Sequence, residues 1–126
     1  MMFENAEVID SYTREQAIAD GVLVDVTKMA KEAGFKWPVA ITSELHTVIS
    51  NIPEEYRKYQ NYKGRLWDLL YIGCLEARMC GSASQISYRL IMHHENKKFL
   101  DVKMVCVPIG MDDPSPAITI MMPEED

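Results

Sequence analysis

The sequence lacks most of the features that declare a function. Its three cysteines, Cys74, Cys80 and Cys106, are odd in number, and no pair forms a C-x-x-C. That excludes a disulfide framework and a spaced zinc site, and points to reduced, buried thiols as in a cytoplasmic protein. No apolar run approaches the ~18 residues needed to cross a bilayer. Residues 1–7 show no basic region followed by an apolar stretch, so no signal peptide is expected. A glycine-rich phosphate loop, a G-x-S-x-G elbow, an H-E-x-x-H helix and a paired-carboxylate motif are all missing. Neither a metal nor a cofactor is expected.

Positive charge is also in short supply. Thirteen basic against nineteen acidic side chains leave a net charge of -6. Such a chain is repelled by nucleic-acid phosphates unless it gathers a local basic patch. The same charge suits an acidic protein set into a partner's basic cleft.

The remainder is globular in composition, 48% hydrophobic and 25% charged, with nine methionines scattered as adaptable core filler. At 126 residues the chain is one domain's worth, 1–126, closing on an acidic tail at 123–126 that is expected to fray. Thr13-Arg14-Glu15-Gln16 matches a capping box opening a helix that Gly21 should end. Val22 to Val26 has the β-branched composition of a short buried strand. Thr27 is then expected to cap a helix closed by Gly34.

Trp37-Pro38 forces extension before Val39-Ala40-Ile41, after which Thr42 or Ser43 can cap a helix through Leu45, Val48 and Ile49. Pro53 suits the first turn of a short helix from Glu54 to Tyr59. The strongest helix runs from Gly64 to Met79, where Leu66, Leu69, Leu70, Gly73, Cys74 and Ala77 recur at helical spacing. Beyond Gly81 the period becomes two. Strands are predicted at 86–93, 99–107 and 117–122, with a turn at Glu95 to Lys98 and a longer loop from Pro108 to Pro116. The fold class expected is α+β: a helical N-terminal half packed on a C-terminal antiparallel sheet of three or more strands.

The run Tyr12 to Thr27, together with Glu32-Ala33-Gly34-Phe35, Pro38-Val39-Ala40, Gly64-Arg65-Leu66-Trp67-Asp68 and the closing Ile118 to Met121 and Pro123 to Asp126, resembles a family of small bacterial proteins known only as a domain of unknown function. The resemblance spans nearly the whole chain. Its members occur on plasmids, phages and other mobile elements, which implies accessory work in the cytoplasm and assigns no reaction.

Several candidate residues stand out from the sequence itself. Asp25, between Val24 and Val26, ends a strand where a helix begins, and is expected to hold that turn beside Thr27. His93 and His94 are adjacent, so on a regular strand their rings diverge; a solvated pair beside the turn is expected. His46 with a cysteine has no local support as a base and nucleophile.

The most suggestive surface is Tyr56-Arg57-Lys58-Tyr59-Gln60-Asn61-Tyr62-Lys63-Gly64-Arg65. There Arg57, Lys58, Lys63 and Arg65 alternate with Tyr56, Tyr59 and Tyr62. Cations with aromatic faces suit nucleic acid, yet tyrosine and arginine are equally the usual anchors of protein interfaces. Against the net charge, protein contact is the expectation. Three functions follow. The first is a non-enzymatic interaction protein of a mobile element, such as an inhibitor of a bacterial defence system, binding a host or element-encoded protein. The second is a small enzyme using dispersed carboxylates and His93 or His94. The third is a nucleic-acid accessory protein acting through residues 56–65.

Overall fold

The computed structural model describes residues 13–81, 83–110 and 113–125. Helix α1, Arg14–Ala19, opens as its residues dictate. Thr13 Oγ1 accepts the Gln16 amide at 3.0 Å, and Gln16 Oε1 accepts the Thr13 amide at 2.8 Å. Strand β1 follows at Leu23–Asp25, and helix α2 at Thr27–Ala33. Thr27 does not cap α2, as its sequence position had suggested. Asp25 does so instead, its Oδ1 accepting both the Thr27 amide at 3.0 Å and the Thr27 hydroxyl at 2.6 Å. The hydroxyl is thereby free to accept the Val39 amide at 3.1 Å and tie α2 to the next strand. Gly34 ends α2 at φ 120°, where a Cβ would also stand 2.8 Å from Arg78 Nη2.

Strand β2, Val39–Thr42, leads directly into helix α3, Ser43–Ser50, whose Leu45 amide is accepted by Thr42 Oγ1 at 3.3 Å. The helix expected after Pro53 is only a 3-10 turn at Glu54–Tyr56. Helix α4 covers Tyr62–Cys80, nineteen residues, with Asn61 Oδ1 accepting the Gly64 amide at 2.7 Å. Strands β3, Gln85–His94, β4, Lys97–Gly110, and β5, Asp113–Met121, complete the chain. The β3–β4 turn is just Glu95 and Asn96, both left-handed at φ 47° and 63°. Lys97 and Lys98 therefore belong to β4. The segment 108–116 is mostly strand, with Pro108 opposite Pro116 in the ladder, and residues 111 and 112 lie outside the described residues.

A single sheet of order β1-β2-β5-β4-β3 results. The purely antiparallel C-terminal sheet of three or more strands expected from the sequence is not what forms. The sheet has five strands and is mixed, because β2 pairs parallel to β5 through Val39↔Ile118 and Ile41↔Ile120. The N-terminal half thus contributes β1 and β2 to the sheet as well as helices.

One sheet face carries Val39, Ile41, Ile118, Ile120, Met104, Val102, Leu100, Leu90, Tyr88 and Ile86, packed against Ala30 and Ala33 of α2, Leu45 and Ile49 of α3, and Leu66, Leu69, Leu70 and Cys74 of α4. Arg14 of α1 reaches the opposite face, donating to Thr119 Oγ1 at 2.8 Å and to the Ile118 carbonyl at 2.5 Å. The acidic tail does not fray as far as Glu125. Its carboxylate accepts the Thr42 hydroxyl at 2.7 Å and the Met122 amide at 2.8 Å, and Lys103 donates to its carbonyl. Cys74 is buried, whereas Cys80 and Cys106 are exposed, contrary to the expectation of three buried thiols.

Helix α4 lies close against the sheet at Gly73. A Cβ there would stand 2.6 Å from Tyr88 Oη and 2.9 Å from Met104 Cε. Tyr88 uses that space to donate to the Leu69 carbonyl at 2.9 Å. Gly73→Ala should therefore lower unfolding stability by about 1–3 kcal/mol, the usual cost of an overpacked core. The combined Gly73→Ala and Tyr88→Phe variant should lose less than the sum of the two single changes, because removing the hydroxyl relieves the clash. Urea denaturation of the four proteins checks both statements.

Candidate functional site

Residues 56–65 do not form one surface. Tyr56 lies flat on His93, with ring centroids 4.5 Å apart and planes 18° apart. Arg57 Nε donates to the Ile52 carbonyl at 3.1 Å, which gives that cation a structural task. Lys58 and Lys63 are exposed. Tyr59 projects from the turn, 83% exposed. Tyr62 turns the other way, its hydroxyl 3.0 Å from His46 Nδ1. The chain direction at the start of α4 separates these side chains into two groups.

The first group surrounds Arg65. Helical geometry explains its position: Arg65, Leu69 and Gly73 recur every four residues on the face of α4 that meets the sheet. Arg65 is consequently only 3% exposed. Its Nη2 donates to the His93 carbonyl at 2.6 Å, while Nε and Nη1 are buried with no hydrogen-bond partner. A buried donor left unmade costs about 1–3 kcal/mol, and more when it is charged. Burial lowers the Arg65 pKa from its ordinary value, the direction expected when a cation is withdrawn from water. Arg65 lines a cleft of about 420 Å³ together with Tyr59, Asn61, Trp67, Asp68, Ile91 and His93. A second cleft, about 470 Å³, continues from it past Asp68 and Ile91 to Ile72, Arg89 and Phe99. Both lie beside β3, the outermost strand of the sheet.

The second group lines a cavity of about 590 Å³ that gathers Asp25, Thr27, Glu32, His46, Tyr62 and Lys63. Burial raises the Tyr62 pKa, so the phenol stays protonated at neutral pH. The His46–Tyr62 hydrogen bond holds the two rings edge to face, with centroids 5.0 Å apart. Asp25 is occupied in capping α2.

The histidine pair is not solvated as the sequence suggested. A register shift falls between Ile91 and His94, and the two rings line different cavities. His93 is half-buried in the Arg65 cleft, and His94 is 6% exposed in a different cavity of about 640 Å³. His94 Nε2 lies 3.1 Å from the Phe99 carbonyl, which can only accept, so that nitrogen carries the proton. Glu44 and Glu124 line the same cavity. Among the described residues, no group of three His, Cys, Asp or Glu side chains could hold a metal ion. No described helix is long and apolar enough to cross a membrane.

Sequence reasoning singled out Arg65, Tyr56 and Tyr59, but missed His93 as a wall of the Arg65 cleft and missed Ile91 and Phe99 altogether. The available signal for the last two was alternation, which puts Ile91 on the outward side of a strand and Phe99 opposite it in the ladder.

Compared with known proteins, the whole chain, residues 1–126, matches the model of a family of unknown function, DUF6573, and belongs to that family. No curated protein and no solved structure matches it.

Glu44 gives this region a pH signature. Desolvation pushes its carboxyl above the ordinary value, and the charges of Glu125 and Glu124, with a hydrogen bond to Glu124, push the same way. A carboxyl raised in the fold favours the folded state least when ionised. Its cost is absent below the unfolded pKa of about 4.3 and complete above the folded one. Glu44→Gln should therefore raise the melting temperature near pH 7. The gain should shrink as pH falls and vanish by about pH 4, where the native residue is itself neutral. Thermal denaturation across that range checks it; a lower melting temperature at pH 7 would mean that the favourable charge at the start of α3 dominates.

Proposed function

We propose that this member of DUF6573 is a non-enzymatic interaction protein that engages a partner polypeptide along the free edge of β3 and the adjoining start of α4. One observation carries the reading: among the described residues no strand pairs with the outer side of β3, the longer of the two sheet edges. β3 presents ten residues at one edge, whereas β1 presents three at the other. An edge strand offers a row of unpaired amides and carbonyls, and proteins usually blunt it with charge, proline or a covering element. Here the charge is confined to Arg89, which is paired with Asp101 and lies with Lys98 over the Phe99 ring, and apolar surface stays open beside it, with Ile91 64% exposed, Phe99 42% exposed and Tyr59 projecting nearby. Two clefts run together along it. Backbone pairing with side-chain pockets on either side is how extended segments are recognised by strand addition.

The alternatives draw less support. Nucleic acid would need the cations of 56–65 in one patch, but Arg57 is engaged with Ile52 and Arg65 is buried. An enzyme would need an activated group, and the raised Tyr62 pKa works against its phenol as a nucleophile. The wider setting follows from the resemblance noted above. In this reading the protein is a cytoplasmic accessory of a mobile element, and its partner is encoded by the host or the element. The acidic balance fits an inhibitor of a bacterial defence system, since a nucleic-acid-binding partner would attract it at long range.

Ile91→Asp and Tyr59→Ala place changes on the proposed surface, and Val22→Asp changes an exposed residue beside β1 at the opposite edge. Tagged protein purified from its native host should retain one defined partner in wild type and in Val22→Asp. Recovery should fall several-fold in the other two. Fluorescence anisotropy should show no saturable binding to DNA or RNA near physiological salt. Partner recovery indifferent to Ile91→Asp, or tight salt-sensitive nucleic-acid binding, would overturn the proposal.

A further inference from the structure

We infer that the cleft at the start of α4 is a seat for a carboxylate, an aspartate, glutamate or C-terminal carboxylate of the segment that lies along β3, received by the Arg65 guanidinium. This rests on the reading of β3 as a docking edge and adds to it the chemistry of the occupant.

A guanidinium has five N–H donors and no acceptor, and it keeps its proton in proteins. Arg65 is 3% exposed and has a single acceptor, the His93 carbonyl. Nε and Nη1 are closed off from solvent without a partner, so bulk water does not satisfy them. Among the described residues no carboxylate is within salt-bridge distance of the group, in contrast to Arg89, which is paired with Asp101 on the outer sheet face. The chain has withdrawn a cation from water and left its counter-charge to be supplied.

The surroundings favour an anion of one charge. The cleft sits at the N-terminal end of a nineteen-residue helix, where the backbone dipoles present their positive end. Asn61, Gln60 and His93 line it with polar groups, and Trp67, Met92 and Tyr59 with apolar ones. Asp68 is the only carboxylate on its wall, and it opposes any anion. That opposition weighs more heavily on a doubly charged phosphate than on a carboxylate. The cleft also opens onto β3, whose free backbone groups pair with a polypeptide and not with a sugar-phosphate chain. The net charge of -6 acts on long-range attraction and leaves this contact unaltered. Seating a carboxylate requires the side chains that cover Nε and Nη1 to part.

The test uses the full chain and simple anions at constant ionic strength. Sodium acetate should shift the Arg65 Nε–H resonance saturably and raise the melting temperature. Sodium chloride should do neither, and inorganic phosphate should act more weakly than acetate. Arg65→Lys should abolish the acetate response. Should that variant fail to fold, Asp68→Asn provides the second arm: removing the opposing charge should tighten acetate binding several-fold. An acetate response equal to that of chloride would overturn the seat, as would phosphate binding more tightly than acetate. So would loss of stability in Asp68→Asn without any gain in acetate affinity, which would make Asp68 the counter-ion. If acetate is inert while partner recovery still depends on Ile91, the docking edge stands and the carboxylate seat falls. If acetate binds but Ile91→Asp leaves recovery intact, the seat exists and the partner lies elsewhere.

Discussion

Everything proposed for this protein depends on how closely α4 lies on β3. Gly73 permits that approach, because any side chain there would collide with Tyr88 and Met104. Tyr88 converts the gap into a buried hydrogen bond to the Leu69 carbonyl. The bond fixes the helix along its axis as well as at its distance from the sheet. Leu66, Leu69, Leu70 and Cys74 then meet Ile86, Leu90 and Met104 in one continuous core. Because the same helical face extends back one turn beyond Leu69, the approach that buries leucines also buries Arg65.

Burying an unpaired guanidinium opposes folding, and the leucine-rich core beneath it offsets that cost. Such a residue is retained either because a local network needs it or because something outside the chain completes it. The Nη2 bond to the His93 carbonyl is the only local use, and it holds the end of β3 at its register shift. The other two nitrogens await an acceptor. Beside them the sheet ends on its longest free edge, with Trp67 and Tyr71 stacked along α4 at 6.0 Å and Ile91 and Phe99 paired across β3 and β4. Among the described residues a guanidinium with two unsatisfied donors and a sheet edge with no neighbouring strand occupy one surface, and a polypeptide bearing a carboxylate would satisfy both.

Much of this was legible residue by residue. The capping box at Thr13, the stop at Gly34 and the change of period after Gly81 are local signals, and they located α1, α2, α4 and the β3–β4 hairpin. The parallel pairing of β2 with β5 was not legible. Val39↔Ile118 joins segments nearly eighty residues apart, and no local pattern distinguishes a parallel from an antiparallel neighbour. The strands through 108–116 were hidden because Pro108, Gly110 and Pro116 read as a loop; Pro108 and Pro116 instead face each other within the ladder. The tail looked free because its charge suggests solvation, whereas the Glu125 carboxylate accepts from Thr42 and Met122 and its backbone carbonyl from Lys103. Of the site, the aromatic and basic residues of 56–65 were visible as a cluster. Their division between two clefts was not, since it depends on the direction in which α4 leaves the turn. Arg65 could have been placed in the core by carrying the Gly73–Leu69 stripe back four residues.

The central claim is that β3 and the start of α4 together receive the partner. Amide hydrogen exchange, comparing the free protein with the complex recovered from its native host, tests it most directly. Unpaired edge amides exchange quickly when free and slow when a strand is added. The account predicts new protection concentrated in residues 85–94, extending to the turn and helix start at 56–68, with β1 unchanged. Protection centred on residues 22–25, with β3 exchanging as fast as in the free protein, would contradict it.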